Sequence, residues 1–181
     1  MKKILLILIC VLFFAAKPVQ ENGISFKTIT IGKQIWMTEN YAAQMPKSWY
    51  YDRDSVKNQK YGQLYFWSSA MSGAPRGWHL PSLDDWQQLI DNFGGDSTAA
   101  PKLFAGGASG LNLLAVGHRS ANITPDEMFD LKDQFGYYWT STPQGENTAY
   151  AIELRKRVNY VVKNHFRRAN GFSVRYVRDA K

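Results

Sequence analysis

Only one cysteine, Cys10, occurs in 181 residues, and it lies in an apolar leader. The rest of the chain therefore has no disulfide, no thiolate metal site and no cysteine nucleophile. Histidine is almost as scarce: His79, His118 and His165 are the only ones, widely separated in sequence. Zinc needs several N, S or O ligands converging, and no pair here has helical or hairpin spacing. His79, between Trp78 and Leu80, reads as a structural hydrogen-bonding residue. No EF-hand spacing connects Asp84, Asp85, Asp126, Glu127, Asp130 and Asp133, and there is no GxSxG nucleophile elbow. Asp84 and Asp85 read as first-turn acids favoured by a helix dipole. No metal or other cofactor is expected. The apolar run Ile4–Ala16 is too short to span a bilayer comfortably.

The chain does carry a basic, apolar leader and an aromatic-rich body. Lys2 and Lys3 precede the Ile4–Ala16 run, and small residues close it before Lys17-Pro18, which is the pattern of a secretory signal. Residues 1–16 are read as that signal, 17–24 as a short tether, and 25–181 as one domain. Bulky Ile9 before Cys10 argues against a lipid anchor there. The expected compartment is the periplasm or outer cell surface, with no membrane span in the mature chain. Hydrophobic residues make up 45% and aromatics 14%, which supports a packed core and argues against disorder. Formal charge is +7, to which the leader lysines contribute. The modest remainder favours acidic partners, and a solvated surface accounts for it equally well. The secretory leader argues against nucleic acid.

Along the chain, Ser25 to Ile31 and Gln34 to Thr38 read as a hairpin around Gly32-Lys33. Residues 42–59 read as loop. Gln63 to Met71 reads as a helix with Leu64, Trp67 and Met71 on one face. Ser82 and Asp85 form a capping box ahead of Trp86, Leu89, Ile90 and Phe93, with Gly94-Gly95 as the stop. A short helix is expected around Ala99 to Ala105, and Gly106 to Gly117 reads as loop. From Tyr137 the period becomes two: Tyr150, Ile152 and Leu154 alternate with Ala151, Glu153 and Arg155, and Phe172, Val174 and Tyr176 with Ser173, Arg175 and Val177. An antiparallel sheet of about four strands is expected there, giving an α+β pattern. Asn122-Ile123-Thr124 matches a glycosylation sequon, a short pattern that also occurs by chance.

The ordered strings IGKQIWMTEN from Ile31, KYGQLYFW from Lys60, GWHLPSLDDW from Gly77, GYYWTST from Gly136 and NGFSVRYVRD from Asn170 resemble one family. It is the Fibrobacter succinogenes major paralogous domain, found in secreted bacterial proteins, and the likeness runs from about Phe26 to Asp179. The GWHLPSLDDW string and the ending are also similar to those of the C-type-lectin-like fold. The resemblance implies a single α+β domain, with two main helices packed on a twisted antiparallel sheet that joins the N- and C-terminal strands. Trp36, Trp67, Trp78, His79, Trp86, Trp139 and Gly171 are then structural motif residues, the tryptophans in the core. The family commonly has a cysteine before a proline at the start of this motif, here Pro75, and another in its ending. Here those positions are Ala74 and Tyr176, and paired loss fits the absence of a disulfide joining them. The carboxylate-Pro-amide and Trp-Asn-Asp triplets of sugar-binding lectins are missing, so no calcium site is implied. Formylglycine-generating chemistry needs reactive cysteines, which are also missing. Related variable proteins contact ligands between the WTST-like motif and the GF ending, here Thr140 to Asn170.

Two sets of residues are candidates for binding. Arg155, Lys156, Arg157, Lys163, Arg167 and Arg168 cluster in sequence with Tyr160 and His165. If Lys156-Arg157 form a hairpin turn, several charges stand together at one end of the sheet, suited to sulfated or carboxylated glycans or to phosphates. A solvated hairpin whose cations guard an edge strand accounts for the same residues. Trp49, Tyr50 and Tyr51 offer flat rings for sugar stacking, or a loop pinned to the core by those rings. The function expected is a non-enzymatic binding module for a glycan or surface polymer. The alternative is a protein-protein adhesion or assembly module that binds another envelope protein through the same face. A polysaccharide hydrolase using paired carboxylates is a third reading.

Overall fold

The computed structural model describes residues 17–21, 24–121 and 128–180. The expected signal and the Asn122 sequon lie outside them. Lys17–Glu21, expected as tether, forms strand β1, antiparallel to strand β2 (Ile24–Ile31). Its backbone groups find partners along the edge of β2, which satisfies both strands at once. Strand β3 (Gln34–Met37) pairs with the other edge of β2 through the expected turn, where Gly32 adopts φ 58° without a Cβ to clash.

The segment 42–59 is more ordered than a loop. It contains strand β4 (Ser48–Trp49), a 3-10 turn at Tyr51–Arg53 and helix α1 (Ser55–Asn58), whose cap Asp54 accepts from the Lys57 N–H. The helix expected from Gln63 starts later. Leu64–Tyr65 is strand β5, paired with β4, and helix α2 spans Trp67–Ser72. The helical spacing of Leu64, Trp67 and Met71 was coincidental: Leu64 is fully buried in a strand, while Met71 is 41% exposed.

Helix α3 (Leu83–Asp91) follows its local signals. The Ser82 hydroxyl accepts from the Asp85 N–H, and the Asp85 carboxylate accepts from the Ser82 N–H. Trp86, Leu89 and Ile90 are buried. Asp85 also takes hydrogen bonds from the Ser82 hydroxyl and from Gln34 Nε2 on β3, so one side chain joins helix and hairpin. Burial pushes its carboxyl up, but the Ser82 hydrogen bonds and adjacent His79 outweigh that and hold it below the ordinary value. A depressed folded-state value stabilises the fold above the unfolded pKa, and that stability is lost as pH falls through the folded one. Asp85→Asn is expected to cost about 1–2 kcal/mol at pH 7. Thermal melts across pH should show the gap from the parent narrowing below about pH 4.

Helix α4 (Ala100–Leu103) lies within its expected range. Strands β6 (His118–Arg119) and β7 (Phe129–Asp130) form a small pair. Strands β8 (Phe135–Gln144), β9 (Thr148–Arg155) and β10 (Val161–Arg167) form an antiparallel sheet in the order β10-β9-β8. The C-terminal strand β11 (Val177–Asp179) does not extend it. It pairs with β3, completing a second sheet in the order β1-β2-β3-β11. The C-terminal sheet thus has three strands rather than about four, and the ends of the domain meet in the other sheet.

Both faces of β8–β9 are covered. Tyr138, Ile152 and Leu154 pack against Trp36, Trp86, Leu89 and Ile90. Tyr137, Trp139 and Ala151 pack on the other side with Met37, Tyr65, Phe172 and Tyr176. The expected alternation of buried and wet positions fails for that reason. Ala151 and Glu153 are buried, and so is every residue from Gly171 to Val177. That last segment threads between the sheets, bridging Tyr65 at Phe172, Tyr138 at Ser173 and His79 at Val177. Gly171 exchanges both backbone hydrogen bonds with Arg119, and a Cβ there would lie 2.9 Å from the Arg119 Cβ. Where the resemblance implied a disulfide in relatives, Tyr176 is fully buried and donates to the Ala70 carbonyl at 2.9 Å. Tyr176 and Ala74 share one aromatic cluster, so packing joins these segments here.

The whole is an α+β fold of short helices and several small antiparallel sheets. Among the described residues no helix is long and apolar enough to cross a membrane.

Candidate functional site at the β9–β10 turn

The β8–β9 register sets Phe135 opposite Arg155 and Tyr137 opposite Glu153. Cross-strand partners on one face touch, and these do. The Arg155 guanidinium lies 5.1 Å from the Phe135 ring centroid and donates to Glu153 through Nε at 2.6 Å. Phe135 and Tyr137 are stacked, 5.9 Å apart and 9° from parallel. Burial, with the Glu153 carboxylate, pushes the Tyr137 hydroxyl up to about 12. Glu153 is only 4% exposed, so Arg155 is held in place and its charge largely offset.

Beyond Arg155 the chain turns. The Val158 N–H donates to the Arg155 carbonyl, and the Lys156 N–H donates to the Gln134 carbonyl. Lys156 and Arg157 therefore form the expected turn, with Arg157 in left-handed backbone at φ 67°. Asp133, Gln134, Phe135, Arg155, Lys156, Arg157 and Val158 line a cavity of about 580 Å³, within the ordinary range for ligand pockets. Lys156 and Asp133 form a loose, exposed pair at 4.0 Å. Arg157 is exposed and has no hydrogen-bond or ion-pair partner among the described residues. Tyr160, 48% exposed, follows in the same connection.

The basic cluster does not gather at one end. Arg167 pairs in register with Thr148, at the far end of β10 from Val161, about 20 Å away at the usual strand rise. Arg167 is exposed there. Arg168 is committed to structure: its guanidinium lies 4.2 Å from the Trp67 ring centroid and donates to the Thr148 and Gly145 carbonyls. Lys163 is bound by Asp96 and Gln87. His165 is exposed, its ring edge-on to Tyr150. A seven-residue strand between the two basic groups separates them.

The aromatic stretch also divides. Tyr51 is buried, packing with Leu64 and Val116 and, 5.4 Å away, Phe129. Trp49 is half-buried; Arg119 lies 4.1 Å from its ring centroid and Phe66 5.0 Å. Tyr50 is half-buried beside them. Arg119 Nε and Nη1 have no hydrogen-bond acceptor among the described residues, and their setting against two rings suits N–H···π contact. Among the motif tryptophans, Trp36, Trp78, Trp86 and Trp139 are buried, whereas Trp67 is half-buried with its Nε1 donating to the Thr140 carbonyl. His79 is exposed and sits 3.3 Å from the Asp85 carboxylate. His118 is held against Tyr137, and burial lowers its pKa. Among the described residues no group of three or more His, Cys, Asp or Glu is placed to hold a metal ion.

Sequence reasoning missed Asp133, Gln134 and Phe135 as lining residues. Hairpin register alone would not have found them: regular pairing back from the Gly145 turn sets Tyr137 opposite Arg155, and a register shift between Trp139 and Pro143 brings Phe135 there instead.

These features define an α+β domain that ends in a cation-lined cavity at a hairpin turn. The chain belongs to the Fibrobacter succinogenes major domain family, whose model matches residues 29–178. No curated protein and no solved structure matches it.

Proposed function

We propose that this is a non-enzymatic binding module of C-type-lectin-like architecture, exported to the periplasm or outer cell surface, that holds a glycan or surface polymer in the cavity at the β9–β10 turn. The observation that carries the reading is the cavity itself, with Arg155 fixed by Glu153 and Phe135 and Lys156 and Arg157 at its rim. A ring floor and convergent cations suit a sugar polymer with acidic groups. The shared sheet of the two chain ends and the threaded C-terminal segment support the architecture.

The test is a screen of the purified protein against bacterial, plant and host glycans at physiological salt, beside a Lys156→Ala/Arg157→Ala variant. A coherent set of hits, weakened about tenfold or more in the variant with its melting temperature retained, is expected. Arg155 and Arg168 are kept because both hold structure. A blank screen from folded protein would overturn the glycan reading and favour a protein partner.

A further inference from the structure

The Arg155–Val158 turn is closed by a hydrogen bond from the Val158 N–H to the Arg155 carbonyl, and its third residue, Arg157, has φ 67°. Turns with positive φ at that position ordinarily carry glycine or asparagine, because a Cβ there meets the backbone. Arginine at such a place is a local cost to the fold. Nothing structural offsets it, since the side chain is exposed and has no hydrogen-bond or ion-pair partner among the described residues. The cation beside it in the cavity wall, Arg155, is already occupied by Glu153, and Lys156 lies near Asp133. Asp133 on the opposite rim is also in left-handed backbone, at φ 63°. Lys47, Asp52, Arg53, Asn112 and Leu131 share this backbone outside the lining, so what singles out Arg157 is its exposed guanidinium at the cavity, without a partner among the described residues.

We propose that Arg157 is the specificity-determining residue of the cavity, gripping the oxyanion of an acidic sugar unit, a carboxylate or sulfate, while the ring lies toward Phe135. The inference rests on the glycan reading above and deepens it. A guanidinium offers two parallel N–H donors that match the two oxygens of such a group, which an ammonium does not. Arg155, held over Phe135, acts as a positioning residue for that floor. Asp133 lies loosely paired with Lys156, which leaves Arg157 as the cation that reads the acid.

The test uses the purified protein with three probes: polygalacturonate, its neutral methyl ester, and a sulfated polysaccharide. The parent is expected to bind at least one acidic probe tenfold or more tighter than the methyl ester. Arg157→Gly should lose about tenfold of that affinity while its melting temperature rises about 2–4 °C from relief of the turn. Arg157→Lys keeps the charge and should also lose affinity, because the fork is gone. If Arg157→Lys binds as the parent does, the proposal fails, since charge alone then suffices. If the methyl ester binds equally, the acidic ligand is wrong while the glycan reading stands. If no probe and no screened glycan binds, both fall. A melting temperature lowered by Arg157→Gly would show that the residue serves the fold.

Discussion

Arg175→Met is expected to lower stability by about 4 kcal/mol, because three buried acceptors and a fourth on exposed Asn112 lose a charged donor at once. Arg175 is fully buried. Its Nε donates to Asn40 Oδ1 at 2.7 Å, its Nη1 to the Met37 and Leu111 carbonyls, and its Nη2 to the Asn112 carbonyl at 2.7 Å. Burial lowers its pKa, with Tyr138 and Glu39 acting the other way, yet a guanidinium stays charged in proteins. The side chain joins the end of β3, the 106–117 loop and the C-terminal segment, all distant in sequence. A methionine fills similar space but leaves the three buried acceptors dry and unpaired. Arg175→Lys should rescue little, since a single ammonium cannot reach acceptors spread around a planar fork. A fall in melting temperature of roughly 10 °C is the expected reading for a domain of this size. A change of a degree or two would mean that water replaces the guanidinium, and that the segment is less enclosed than described.

Trp78→Ala is expected to cost about 3–5 kcal/mol. Trp78 is 6% exposed, edge-on to Phe26 at 5.3 Å, with the Arg178 guanidinium 4.8 Å from its ring centroid. Its backbone N–H closes a turn onto the Pro75 carbonyl, and the next residue, His79, bridges Val177. The ring therefore fixes the GWHLP segment between β2 and the start of β11. Its indole Nε1 has no hydrogen-bond partner among the described residues, so the loss comes from buried area and packing. Trp78→Phe should then recover most of it. A denaturation midpoint shift at constant m-value measures the effect. A nearly neutral Trp78→Ala would place the ring outside the core.

The parts legible in the sequence are those fixed by near neighbours. The β2–β3 hairpin, the capping box of α3 and the Lys156-Arg157 turn each rest on contacts within a few residues. The parts that were missed depend on distant partners. Lys17–Glu21 becomes a strand only because β2 offers an edge, and Leu64–Tyr65 only because β4 and Phe172 lie beside it. Period-two alternation, which sets Arg175 among Ser173 and Val177, carries no sign that a charged side chain there is buried, because it implies one wet face and here apolar clusters cover both sides. The basic residues after Glu153 were legible as a group, but their division was not. Strand β10 carries Arg167 and Arg168 to the end opposite Arg157, and Arg168 closes on Trp67. Trp49 shows the converse: an aromatic in a polar stretch left a free ring and a pinned loop equally open, and Arg119, far along the chain, covers the ring.

The central claim is that ligand is held at the β9–β10 turn. The measurement that addresses it most directly is a residue-resolved NMR titration of the labelled protein with short oligogalacturonates. Amide shifts concentrated at 133–135 and 155–160, saturating together and absent in Arg157→Gly, are the predicted result. Shifts centred instead on Trp49 and Arg119, or on Arg167 and the far end of β10, would contradict it.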